Sequence, residues 1–118
     1  MSEEQVFPQE LETRLSTLPK DKQVFIYVFG DWCPDCIEAH PIIEAAFQSK
    51  ADPSSFLLLK CPVIKEEYKN NPEFLLRRHP LFQLKAIPSL YRWSEATPAS
   101  VLVEDECKVL KDVIAFVE

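Results

Sequence analysis

The 118-residue chain carries 19 acidic against 13 basic residues, a net charge of −6, and has no Lys/Arg run able to neutralise a phosphate backbone, which excludes a nucleic-acid binder. Its balance of 47% hydrophobic and 27% charged residues is that of a folded chain, so a single domain, 1–118, with one buried core is expected. The longest apolar run, Val24–Phe29, falls far short of the ~20 residues needed to span a bilayer, and the acidic opening MSEEQVFPQE lacks the basic-then-apolar pattern of a secretory signal; no membrane partner and a cytoplasmic location are expected.

In chain order, a short strand is expected around Gln5–Phe7. Pro8 then opens a helix on which Leu11, Leu15 and Leu18 share a face, ending near Pro19. VFIYVF, from Val24, does not alternate, as in a strand covered on both faces of a parallel sheet. A helix from Pro34 places Ala39, Ile42, Ile43, Ala46 and Phe47 on one side, with Pro41 expected to kink it. FLLL, from Phe56, is a second inner strand leading to Cys61, and Asn71-Pro72 caps a helix over PEFLLRRH. Leu90–Trp93 and Val101–Val103 form a hairpin across a turn containing Pro98, and a last helix carries Val109, Leu110, Val113, Ile114 and Val117 on one face. The order βαβαβαββα predicts an α/β fold, a sheet flanked by helices on both faces. Gly30 is the only glycine, so turns must rely on Pro, Asn, Asp and Ser.

The chemistry is concentrated in FGDWCPDCIEAHP, Phe29–Pro41. In a reducing compartment four cysteines are not two structural disulfides, so a C-x-x-C pair needs a chemical reason. Cys33 sits just before a helix, where unpaired N–H groups and the dipole favour a thiolate, the nucleophile of disulfide exchange. Cys36, one turn on, can attack a mixed disulfide on Cys33 and close a Cys33–Cys36 bond. Pro34 loses no hydrogen bond at the first helical position. Asp35 favours the helix start, yet opposes a thiolate if it points at Cys33. Trp32 serves either as an apolar contact surface beside the thiol or as core. The same CPDC pattern occurs in zinc knuckles, with His40 as a third ligand, but structural zinc usually takes two close pairs and Cys61 and Cys107 are single residues; no metal is expected. Free cysteines default to packing, with a regulatory disulfide or glutathionylation as the alternative for Cys61 and Cys107.

The strand ending in WCPDC, Pro41 five residues beyond Cys36 and the downstream Ala86-Ile87-Pro88 before a hairpin together resemble the thioredoxin superfamily. With NNPEF and LVEDEC, the chain is similar to the thioredoxin domain-containing protein 17 family, small cytosolic thioredoxin-related proteins. The resemblance implies a thioredoxin-like fold with a central mixed sheet. It implies Cys33 as attacking and Cys36 as resolving cysteine, Pro88 as a cis-proline against the active disulfide, and Ile87 as the residue whose backbone pairs with substrate. It also implies reduction of cystine-like small disulfides, related oxidised thiols and selected protein disulfides, with electrons from NADPH through thioredoxin reductase and no bound cofactor.

Two departures stand out. Thioredoxins carry a buried Asp six residues before the first cysteine, where this chain has Tyr27, leaving Asp35 or water to take the Cys36 proton. The stretch from Cys36 to Pro88 is also longer, its extra residues falling in PVIKEEYKNNPEFLLRRHP, which either rims the site and narrows the substrates or is inert. The expectation is a monomeric disulfide reductase; the alternative is an adaptor whose binding responds to the redox state of the same pair.

Overall fold

Strand β2 (Gln23–Phe29) shows why its run of apolar residues does not alternate: the sheet is covered on both sides. Val24, Ile26 and Val28 face one core with Leu57, Leu59, Cys61, Tyr68, Phe74 and Leu76, while Phe25 and Tyr27 face a second with Ile43, Phe47, Leu58, Leu90 and Val113. Phe25, Ile26, Leu58, Leu59 and Leu90 are all under 2% exposed, and each such side chain contributes about 1.5–3 kcal/mol through burial.

The computed structural model describes residues 2–118, so Met1 of the expected unit lies outside the described residues. The five strands are ordered β1-β3-β2-β4-β5, with β1 (Glu3–Gln5) and β2 parallel to β3 (Phe56–Pro62). Strand β4 (Ser89–Ser94) runs antiparallel to β2, and β5 (Thr97–Val103) antiparallel to β4. Helix α1 (Leu11–Leu15) follows a 3-10 turn at Pro8–Glu10, and α2 (Pro34–Gln48) joins β2 to β3. Short helices α3 (Lys65–Tyr68) and α4 (Leu75–Arg78) lie between β3 and β4, and α5 (Leu110–Val117) closes the chain after a 3-10 turn at Glu104–Lys108. This is the α/β sheet flanked by helices that the element order predicts, and it is mixed, as the resemblance implies.

Five details differ from expectation. The helix expected from Pro8 to near Pro19 is a 3-10 turn at Pro8–Glu10 followed by α1, which ends at Leu15, so Leu18 lies beyond it. The first strand ends at Gln5 because Phe7 already caps the Pro8 turn. The helix expected over PEFLLRRH is only its last part: Asn71 Oδ1 accepts from the Glu73 N–H at 3.0 Å, capping a turn, and the helix starts at Leu75, with α3 as an additional turn before it. Pro98 lies in the edge strand β5, opposite Trp93 beside a register shift, where a missing N–H breaks no inner ladder. The turn itself is Glu95-Ala96. On α5 only Val113 and Val117 are buried; Val109 caps the helix from outside it, Val109 and Leu110 are each 43% exposed, and Cys107 of the preceding turn lies in the core.

With one glycine in the chain, left-handed backbone falls to residues with side chains: Asn70 (φ 57°), Gln83 (φ 42°), Glu95 (φ 59°) and Glu104 (φ 51°). Asn tolerates this region through local hydrogen bonding. Glu104 is held there partly by its N–H, which donates to the Pro88 carbonyl at 2.7 Å.

Candidate active site

Cys33 is the N-cap of α2, with extended backbone (φ −93°, ψ 120°), and Pro34 is the first helical residue, where it forfeits no bond. The Cys33 N–H donates to the Gly30 carbonyl at 3.1 Å, closing a tight turn off β2, and the Ile37 N–H donates to the Cys33 carbonyl at 3.0 Å as the first helical bond. Both bonds hold the two cysteines on consecutive parts of one helical turn. Cys33 and Cys36 are both free thiols, 7% and 3% exposed.

The two sulfurs differ in surroundings. Cys36 Sγ accepts from the Gly30 N–H at 3.4 Å, which partly offsets its burial; burial, the largest influence, together with Cys33 and Asp35 still pushes its thiol well above the ordinary range, so it keeps its proton. Cys33 Sγ instead contacts the Ile87 carbonyl at 4.0 Å. The Ile87-Pro88 bond is cis and both residues are buried, and it is the Ile87 carbonyl that meets Cys33.

Trp32 is half-buried and fixed. Its Nε1–H donates to the Val63 carbonyl at 3.0 Å, and its ring packs 5.9 Å from Tyr68. It is therefore both core and a wall beside Cys33. The longer segment after β3 supplies that wall: Tyr68, Phe74 and Leu76 belong to the first core, and Arg77 lies 4.1 Å over the Tyr68 ring while donating to the Tyr68 and Asn71 carbonyls. Those residues are packed structure beside the site, not a loose loop.

Asp35 is drawn to a residue that reading the sequence missed. Lys108 Nζ donates to Asp35 Oδ1 at 2.7 Å and pairs with Glu38 at 2.9 Å and Asp105 at 3.0 Å. Asp35 first, then Glu38 and Asp105, raise the Lys108 pKa and keep it charged. No local pattern links positions 35 and 108; only the packing of the turn before α5 against α2 does.

Pro41 is exposed and lines a cavity of about 250 Å3 that reaches Cys36 and His40. His40 Nε2 lies 3.1 Å from Glu44 Oε1, and among the described residues no group of three or more His, Cys, Asp or Glu is placed to hold a metal ion. Two hollows of about 500 Å3, one along β5 and one beside α1, contain no thiol. Cys61 and Cys107 are fully buried on opposite faces of the sheet, and burial pushes each thiol up to about 12. Both pack as small hydrophobes; Cys107 Sγ sits 3.4 Å from the Leu102 carbonyl and 3.8 Å from that of Pro88.

Tyr27 stacks on Phe29 at 4.8 Å, and its buried hydroxyl has no hydrogen-bond partner among the described residues. A buried orphan hydroxyl costs stability. Tyr27→Phe is therefore expected to raise unfolding free energy by about 1 kcal/mol, seen as a higher urea midpoint at unchanged slope; a lower midpoint would mean that the hydroxyl is solvated internally.

A C-x-x-C pair opening a helix after a central strand, with the carbonyl of a cis X-Pro bond against its first sulfur, on a five-stranded mixed sheet, is the arrangement of a thioredoxin-fold protein. Solved structures agree: Chlamydomonas reinhardtii thioredoxin f2 superposes with a TM-score of 0.67 over 96% of this chain and 91% of that one at 14% identity, and Schistosoma mansoni thioredoxin with 0.65 over 99% and 96% at 15%. The family model for the thioredoxin domain of thioredoxin domain-containing protein 17-like proteins matches residues 7–118, and the chain belongs to that family. Thioredoxin domain-containing protein 17 of Danio rerio is 32% identical over 95 residues, 75% of this chain and 72% of that protein. The acireductone dioxygenase of Leishmania braziliensis is 40% identical over 64 residues, 52% of this chain; the chain spans only 19% of that longer protein's length. Family and fold support a thioredoxin-like oxidoreductase. No helix among the described residues is long and apolar enough to cross a membrane.

Proposed function

We propose that this chain is a cytoplasmic, monomeric dithiol reductase of small cystine-like disulfides, related oxidised thiols and selected protein disulfides, drawing electrons from NADPH through thioredoxin reductase with no cofactor of its own. The observation that carries this reading is the free Cys33–Cys36 dithiol at the start of α2, with Cys33 against the Ile87 carbonyl and Cys36 deeper and proton-bound. The Cys33 thiolate attacks one sulfur of the substrate, forming a mixed disulfide while the other sulfur leaves as a thiolate and takes up a proton. Cys36 then loses its proton and attacks Cys33 Sγ, releasing the second thiolate and closing Cys33–Cys36; two electrons have passed to the substrate. Thioredoxin reductase returns two electrons from NADPH to the internal disulfide.

Access favours small substrates. Cys33 is only 7% exposed, between Ile87 and the fixed Trp32 wall, so a slim disulfide reaches it more easily than a bulky one. Asp35, Pro34 and Pro41 support the site: Lys108 holds the Asp35 carboxylate, Pro34 starts α2 and Pro41 lies within it.

The test is NADPH oxidation coupled through thioredoxin reductase to cystine. Wild-type chain should drive it, and Cys33→Ser should fall to the rate of the reductase alone. Retention of the wild-type rate by Cys33→Ser would remove the proposal.

A further inference from the structure

Closing the internal disulfide requires the Cys36 proton to leave a site where burial holds it. Three neighbouring groups are poor acceptors. Tyr27, packed near Cys36, has its pKa raised by burial, and so retains its own proton. Asp35 is bound by Lys108 at 2.7 Å. Asp31 is exposed, its carboxylate held in solvent and not against the buried thiol.

His40 is different. It lies one helical turn after Cys36, and the two side chains share the cavity of about 250 Å3, walled by Phe29, Gly30, Asp31 and Pro41. A water occupies about 30 Å3 in the liquid, so this space admits a short chain of them. One turn further, Glu44 Oε1 stands 3.1 Å from His40 Nε2. By accepting from the Nε2–H, Glu44 leaves Nδ1 as the basic nitrogen. The rings of Tyr27 and Phe29, 6.2 and 6.1 Å away, flank the imidazole. Cys36, His40 and Glu44 thus form a thiol–imidazole–carboxylate line on successive turns of α2.

We propose that His40 takes the proton from Cys36 when the mixed disulfide is resolved, through the cavity the two side chains share, with Glu44 holding the imidazole in its accepting tautomer. This rests on the dithiol reading above. Cys36–SH and His40 become thiolate and imidazolium; the thiolate attacks Cys33 Sγ, the Cys33–substrate S–S bond breaks, and the departing thiolate takes a proton from the imidazolium or from solvent. The charged and titratable groups around this line are Asp31 before α2, Asp35, Glu38 and Glu44 on it, Tyr27 on β2, Lys60 on β3 at 3.9 Å from Glu44, Glu3 on β1 at 3.2 Å from Lys60, and Lys108 on Asp35 and Glu38.

The test uses the reduced full chain and excess 5,5′-dithiobis(2-nitrobenzoate) in a stopped flow. Attack by Cys33 releases one coloured thiolate, and resolution by Cys36 releases the second. In His40→Ala the first phase should stay within about two-fold of wild type while the second slows about 100-fold at pH 7. Added imidazole should restore the second phase of His40→Ala. His40→Gln, which preserves bulk and a partner for Glu44, should show the same slow phase, and Asp31→Asn should not. A second phase that is unchanged in both His40 variants, or slowed without imidazole rescue, overturns the inference while leaving the dithiol reading intact. Absence of the first phase in the wild-type chain would overturn both.

Discussion

A Cys36→Ser chain is expected to attack a disulfide once and stop. Its Cys33 still faces the Ile87 carbonyl, but no second thiol remains within reach, because Cys61 and Cys107 are fully buried and proton-bound. Turnover in the coupled assay should fall by at least about 1,000-fold, while the chain accumulates one substrate half per molecule. Intact mass spectrometry under non-reducing conditions should show that adduct stoichiometrically, and it should disappear on treatment with dithiothreitol. A Cys36→Ser chain that turned over normally without carrying an adduct would show that Cys36 is not the resolving group. The serine can accept from the Gly30 N–H as the sulfur does, so loss of turnover is not expected to reflect unfolding.

Gly30→Ala should produce the largest change in stability. A Cβ at this position would stand 2.5, 2.6 and 2.9 Å from Cε2, Nε1 and Cζ2 of Trp32, far inside the 3.5–4.0 Å of an ordinary contact. The strain can be relieved only by moving the indole, which breaks its bond to the Val63 carbonyl and its packing on Tyr68. The expected cost is about 2–4 kcal/mol, the sum of overpacking and one lost hydrogen bond. Urea unfolding followed by circular dichroism would measure it, and a shift in tryptophan emission of the folded state would report the displaced ring. The change should also open the Trp32 side of Cys33, so relative activity should move toward bulkier disulfides. An unaltered urea midpoint would show that Trp32 can rotate away freely and is not the wall described here.

Gly30 also shows what kind of information a sequence holds. That the chain keeps its only glycine directly before DWCPDC is visible at once, but its backbone torsions are not in the left-handed region. The requirement is a close approach by the Trp32 indole, a contact that spacing alone does not reveal. The unbroken apolar run of β2 could be read directly, because a strand covered on both faces needs no polar positions. The faces of α2 were legible for the same reason, through the three-and-four spacing of Ala39, Ile43, Ala46 and Phe47, all buried. The region after β3 was not. There the chain is held by Arg77 on Tyr68 and by a turn at Asn71, so helix periodicity extends for only a few residues at a time.

What the amino-acid order determined by itself was local and periodic: the doubly covered strand, the helix beginning at Pro34, two cysteines one turn apart, and histidine and glutamate at the next two turns. Each follows from backbone geometry, which repeats over a few residues. What only the tertiary structure decided was which distant groups meet that turn. Ile87 comes to Cys33 from 54 positions away, Lys108 to Asp35 from 73, and the Val63 carbonyl to Trp32 from 31. Those meetings depend on sheet order β1-β3-β2-β4-β5 and on helices packed across it, and electrostatics and burial act through space with no regard for separation along the chain.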